Sequence, residues 1–112
     1  MKTNLSMNNL FTLDGYLKDN GFVPENNNVY NHSTYFISVN KGDILYYCLY
    51  AITDYQVVQV FDENKDIISS IKGNGLANKV EGEYSFSEKG YVRLATRRMD
   101  ESYAYINNNL LK

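Results

Sequence analysis

The sequence predicts an all-β protein, an antiparallel β-sandwich of the jelly-roll kind. Three observations carry that expectation. Seven or eight segments of strand length alternate or run apolar, with turns rich in Gly, Asn and Asp between them. No segment shows a convincing helical period. The connections are also too short for the crossovers that parallel strands need.

The chain is organised around residues 44–52, Ile-Leu-Tyr-Tyr-Cys-Leu-Tyr-Ala-Ile, which hold no charge, Gly or Pro. Nine such residues suit a central strand better than a helix. Both alternating sets are apolar: Ile44, Tyr46, Cys48, Tyr50 and Ile52 on one, Leu45, Tyr47, Leu49 and Ala51 on the other. One face therefore belongs to the core and the other needs a cover or a partner. The pattern does not say which.

In chain order, residues 1–8 are polar and read as a flexible arm, and residues 9–106 form the domain. Leu10, Phe11 and Leu13 tuck the start of the domain against the core. Asp19-Asn20-Gly21 signals a turn between Tyr16-Leu17-Lys18 and Phe22-Val23, a hairpin that Pro24 and Asn26-Asn27-Asn28 end. Thr34–Val39 alternates as a strand, and Asn40-Lys41-Gly42-Asp43 turns into the central one. Tyr55–Phe61 makes the next strand, with Gln59 its wetter position. The charged turn Asp62–Asp66 leads into Ile67–Ile71. Residues 73–81 read as a loop, followed by a strand at Tyr84 and Phe86. In Tyr91–Thr96, Val92 and Leu94 face the core, with Tyr91, Arg93, Ala95 and Arg97 opposite. Residues 98–102 form a charged loop, Tyr103–Ile106 a last strand, and 107–112 a tail.

At 112 residues the chain fits one domain that needs no metal or disulfide to hold its core. A net charge of −2 gives no basic field, which argues against nucleic-acid binding. No apolar run reaches membrane length and no signal-peptide pattern opens the chain. The deviations are 11 Tyr, 15 Asn, one Pro and no Trp. Tyr combines an apolar ring with a hydrogen-bonding tip, which suits recognition surfaces as well as strands. The single cysteine, Cys48, excludes an internal disulfide and reads as a small buried hydrophobe.

Three motifs in order carry a resemblance: Asn9-Leu10-Phe11 with Asp14-Gly15-Tyr16 and Asp19-Asn20-Gly21; Tyr35-Phe36-Ile37-Ser38-Val39 with Lys41-Gly42-Asp43; and Val60-Phe61-Asp62-Glu63-Asn64-Lys65 ahead of Gly90-Tyr91-Val92-Arg93-Leu94. Across residues 9–106 this resembles the small jelly-roll modules, similar to carbohydrate-binding modules, of bacteriophage tail fibres, baseplates and other virion proteins. The resemblance implies a non-enzymatic virion part that serves structure and host attachment. Such a part is made in the host cytoplasm, or is carried on a bacterial surface in prophage-derived form. Its partners would be other virion proteins or copies of itself, with a trimer implied by the family. The alternative is a dedicated carbohydrate-binding module for cell-surface glycans. Many sugar-binding jelly rolls carry Trp, and its absence here favours the structural role.

Site residues follow from what each ligand needs. A sugar stacks its C–H face on an aromatic ring and its hydroxyls want planar polar groups. Tyr46 and Tyr50, about 7 Å apart along one strand, with Gln59, Arg93 and Arg97, are the candidate glycan residues; the competing reading packs these tyrosines in the core. Leu45, Tyr47 and Leu49 are the candidate contact for a second copy, unless the chain itself covers them. No cofactor or metal is expected. Asp62-Glu63-Asn64-Lys65-Asp66 begins like a calcium loop, but Ile67 and Gly73 stand where Gly and Glu are needed, so a charged hairpin turn is favoured. No catalytic residue is assigned, because nothing links His32 to Cys48 as base and nucleophile.

Overall fold

The computed structural model describes residues 2–4 (by their backbone pairing), 10–25 and 31–107. Eleven strands are formed among them: β1 (Lys2–Asn4), β2 (Leu13–Lys18), β3 (Gly21–Pro24), β4 (His32–Ser33), β5 (Ile37–Val39), β6 (Ile44–Tyr50), β7 (Gln56–Phe61), β8 (Ile67–Lys72), β9 (Lys79–Ser85), β10 (Gly90–Thr96) and β11 (Tyr103–Asn107). A single 3-10 turn, Met99–Glu101, precedes β11. The strands build a small sheet, β1-β11-β6-β9, and a large one, β3-β2-β4-β10-β7-β8, with β5 also on β10. The protein is all-β, its sheets are antiparallel, and their packing is consistent with a β-sandwich.

The core lies between the two sheets. Leu45, Tyr47 and Leu49 of β6, with Ala104 and Ile106 of β11, meet Val58 and Val60 of β7, Val92 and Leu94 of β10, and Val39 of β5. Phe11 closes this cluster and Leu10 packs on it, as the apolar start of the domain predicts. Strand β7 is buried at all six positions, because the core covers one face and the β2–β3 hairpin lies over part of the other. That double burial explains its run of Val with only amide polar groups.

Several boundaries differ from the sequence reading. Lys2–Asn4, read as part of a flexible arm, pairs with β11 in the register Thr3 with Ile106; the rest of the arm lies outside the described residues. The predicted strand 34–39 is shorter. His32–Ser33 and Ile37–Val39 pair with β10 separately, while Thr34 bonds to Leu94 through both backbone and hydroxyl. The loop assigned to 73–81 ends earlier, since β9 begins at Lys79. Gly82, which weakens the strand signal there, is tolerated because the Tyr47 ring lies over it: an added Cβ would stand 3.1 Å from the Tyr47 hydroxyl. The tail assigned from 107 loses Asn107 to β11, and 108–112 lie outside the described residues.

The turns are built from side chains suited to them. Asn40-Lys41-Gly42-Asp43 is locked by Asn40 N–H to the Asp43 carboxylate (2.9 Å) and by Gly42 N–H to Phe86 O (2.9 Å), with Gly42 at φ 89°. In the β7–β8 turn the Asp62 carboxylate accepts from Asn64 N–H (2.9 Å) and Asp66 N–H (3.0 Å). Its oxygen is thereby committed to holding a hairpin turn. No group of three or more His, Cys, Asp or Glu side chains able to hold a metal occurs among the described residues.

Candidate functional site

Strand alternation puts Ile44, Tyr46, Cys48 and Tyr50 on the outer face of the small sheet. The proposed contact residues Leu45, Tyr47 and Leu49 point the other way. They are at most 6% exposed and belong to the core, so a second copy cannot reach them; this corrects the sequence reading. The physical reason lies on the neighbouring strand. In β9, Lys79, Glu81, Glu83 and Ser85 are exposed, whereas Val80 and Tyr84 pack on the core. Carboxylates cannot enter an apolar interior without a partner. Their register, Glu83 beside Tyr46 and Glu81 beside Cys48, turns that set of β6 outward.

The outer face carries a stripe of tyrosines. Tyr46 pairs across the strands with Tyr105, their ring centroids 4.8 Å apart and their planes 19° from parallel. Rings that close and that parallel must overlap face to face. Both residues are half-buried on that face. One turn of the pleat further on, Tyr103 of β11 and Glu81 of β9 both flank Cys48. The Tyr103 hydroxyl donates to Glu81 Oε2 (2.7 Å), which spans the strand between them. This bridge explains why Cys48, on an outward face, is only 4% exposed. The same bond pushes the Tyr103 phenol up to about 12.

At the end of the stripe, the Arg98 guanidinium lies 5.7 Å from the Tyr50 ring centre. Burial, then the neighbouring Cys48, pushes the Tyr50 phenol above its usual value. Arg97 N–H donates to Tyr50 O (2.7 Å), and the side chains of Arg97, Arg98, Leu76 and Ala77 line a cleft of about 450 Å³. Of the predicted glycan set, Tyr46 and Tyr50 share the outer face of the small sheet, and Arg97 is joined to Tyr50 through its backbone.

Gln59 and Arg93 do not join them. They pair with each other on the far face of the large sheet. Gln59 is fully buried, contrary to its reading as a wetter position, because its Nε2 donates to Lys18 O (2.8 Å) and anchors the β2–β3 hairpin. Arg93 is 8% exposed; its Nε donates to Thr34 O (3.0 Å). Its guanidinium sits 4.6 Å from the Phe22 ring centre and 4.9 Å from that of Phe36. Burial lowers its pKa from the ordinary value. Both residues hold covering segments onto the large sheet, a role that a one-strand pattern cannot reveal.

His32 faces Asp14 across β4 and β2 (Nδ1 to Oδ1, 3.5 Å) in the large sheet, whereas Cys48 belongs to the small one. Sequence reasoning missed Tyr103, Tyr105 and Arg98 as members of the outer face. The signal was present in β11, where Tyr103 and Tyr105 alternate with Ala104 and Ile106. Fold and site together define a two-sheet antiparallel β-protein with an aromatic outer face on one sheet. Comparison with protein-family models, curated proteins and solved structures gives no match.

Proposed function

We propose that this chain is a non-enzymatic jelly-roll module of a phage or phage-derived virion, serving structure and adhesion through the tyrosine face of the small sheet. The observation that carries the reading is that face itself. Tyr46, Tyr103 and Tyr105 lie on the outer side of an ordered sheet, and no described segment of the chain packs across it as the β2–β3 hairpin does on the large sheet. Self-stacked tyrosines suit a protein partner, either another virion protein or a second copy, because they combine apolar ring surface with hydrogen-bonding hydroxyls.

The jelly-roll part of the reading is supported by strand order. Setting the β2–β3 hairpin aside and taking β4 and β5 as one broken strand leaves eight in sequence. These pair as first-eighth-third-sixth and second-seventh-fourth-fifth, the order that two nested Greek keys generate. The phage setting is supported only by the ordered motifs of residues 9–106.

The alternative, glycan capture, has one observation in its favour: Tyr50 and Arg97 adjoin a cleft. The Tyr46–Tyr105 stack speaks against a flat sugar platform, since each ring already uses one face on the other. The test is sedimentation of the wild type against Tyr46→Ala/Tyr105→Ala, with mass spectrometry of particles purified from the source strain. Association lost in the double variant, and peptides of the chain in particles, support the proposal. A wild type that stays monomeric at high concentration and is missing from particles sinks it.

A further inference from the structure

We infer that the outer face of the large sheet carries a second docking surface, centred on Arg93 and the rings of Phe22, Tyr35 and Phe36, and that its occupant is a segment of another protein presenting a Glu or Asp carboxylate between apolar side chains. It lies on the other sheet from the tyrosine face, and either surface can fail with the other intact.

The charge at its centre is the anomaly. Arg93 is 8% exposed, and its one hydrogen bond among the described residues runs from Nε to Thr34 O (3.0 Å). Those residues include all 13 Asp and Glu, and no carboxylate forms an ion pair with it. A guanidinium so far removed from water is costly unless an anion meets it. Three rings offset part of that cost, their centres 4.6 Å (Phe22), 4.9 Å (Phe36) and 5.8 Å (Tyr35) from Cζ. The terminal N–H groups still lack an acceptor. Gln59, the register partner on β7, has an Oε1 without a partner, yet Arg93 makes no bond to it. The sealed and unpartnered side-chain atoms among the described residues are Gln56 Oε1 and Gln59 Oε1, so the terminal nitrogens of Arg93 reach solvent.

Around this point the surface is aromatic and apolar. The Phe36 ring centre is 4.9 Å from that of Phe61, 5.8 Å from Tyr91 and 6.4 Å from Tyr35. Phe61 pairs in turn with Ile67 on the edge strand β8. Ile67 is exposed, and Phe36 and Tyr91 are half-buried. Tyr35 is 67% exposed, so packing does not wedge its ring and it can turn aside to admit a side chain. Aromatic rings grouped around an arginine have the composition of an interface centre.

The chemistry selects a carboxylate. The second cation here, Lys65, lies 4.7 Å from the Phe36 ring centre and 5.3 Å from that of Tyr91. It belongs to a turn with Asp62, Glu63 and Asp66, whose charges offset it. Arg93 is left as one uncompensated charge, which suits a monoanion better than a phosphate near two charges. A planar carboxylate also matches the planar guanidinium fork. The surface draws on β7, β8, β10 and the connection between β4 and β5, a spread that suits a chain segment rather than a small acid.

The test is a titration of the intact chain, followed by amide chemical shifts, with acetyl-Phe-Glu-Leu-amide against acetyl-Phe-Gln-Leu-amide, which has the same shape without the charge. The Glu peptide is expected to shift Tyr35, Phe36, Tyr91 and Arg93 in a saturable manner. The Gln peptide should bind at least about tenfold more weakly, having lost the charge-assisted bonds. Tyr35→Ala, at an exposed position, should weaken binding several-fold while the remaining spectrum stays folded. Arg93→Lys keeps the charge and loses the fork, and should bring the Glu peptide down to the level of the Gln peptide. Four results would overturn the inference: no saturable shift with the Glu peptide, equal binding of the Gln peptide, phenylacetate binding as tightly as the Glu peptide, or unchanged binding in Tyr35→Ala. Tyr46→Ala/Tyr105→Ala should leave this titration unchanged, which separates failure of this surface from failure of the tyrosine face.

Discussion

Leu45 and Tyr46 are neighbours in sequence and lie on opposite faces of the same strand, so truncating each tests the facing of β6 directly. Leu45 is fully buried between the sheets. Its replacement by Ala removes most of a side chain from a packed core and leaves a cavity, at a cost of about 3 kcal/mol. For a domain of this size that is a fall of roughly 12–20 °C in Tm. Tyr46→Ala removes a half-buried ring from the outer face and loses its stack on Tyr105, a change of about 1 kcal/mol. Urea unfolding followed by circular dichroism gives both values, with the slope of each transition unchanged. The expected gap is about 2 kcal/mol, with Leu45→Ala the worse. Equal costs, or a larger loss for Tyr46→Ala, would refute the assignment of the inner face and with it the tyrosine face as a surface.

Three further outcomes follow from local geometry. Gly73→Ala should destabilise by at least about 2 kcal/mol, since its Cβ would meet two backbone oxygens that cannot yield; thermal melts read this directly. Tyr103 should ionise near pH 12 in an absorbance titration at alkaline pH, and Glu81→Gln should bring it down. The sign is that of a raised pKa. The stabilisation from the Tyr103–Glu81 bond is complete below pH 10 and is lost as pH rises from 10 to about 12. Arg93→Met should cost about 1–3 kcal/mol, by removing a charged donor from Thr34 O together with its ring contacts. Hydrogen exchange should quicken at Tyr35 and Phe36, and unchanged exchange there would contradict the anchoring role.

The strands were legible where side chains differ sharply between faces. In β10, Val92 and Leu94 against Tyr91 and Arg93 gave the core face from alternation alone. In β6 both sets are apolar, and only the carboxylates of β9, a strand whose first half was read as loop, decide the matter. Pairing was legible only at the hairpins, β2–β3 across Asp19-Asn20-Gly21 and β7–β8 across Asp62–Asp66, and not between strands distant in sequence. Gln59 and Arg93 look like surface polar groups in their own strands and become buried because the β2–β3 hairpin and residues 34–36 fold over them. The cleft was equally out of reach, since it joins residues 76–77 to 97–98 through the ends of β6 and β10. Arg97 was chosen for its charge; its position beside Tyr50 comes from topology.

The pairing of β6 also bears on how the protein is made. Neither of its partners is linked to it by a hairpin, and both β9 and β11 leave the ribosome after it. Nor is β1 joined to β11 except through nearly the whole chain. During synthesis, therefore, an apolar strand without charge or proline has two open edges until β9 has emerged, and one until residue 107 has. Long-range pairing of this kind is slow, and such a segment is the sort that pairs with a neighbouring nascent chain. Yield in a host should therefore depend on temperature and synthesis rate more than on the stability of the finished fold. The strand that organises the molecule is the one most exposed before the molecule exists.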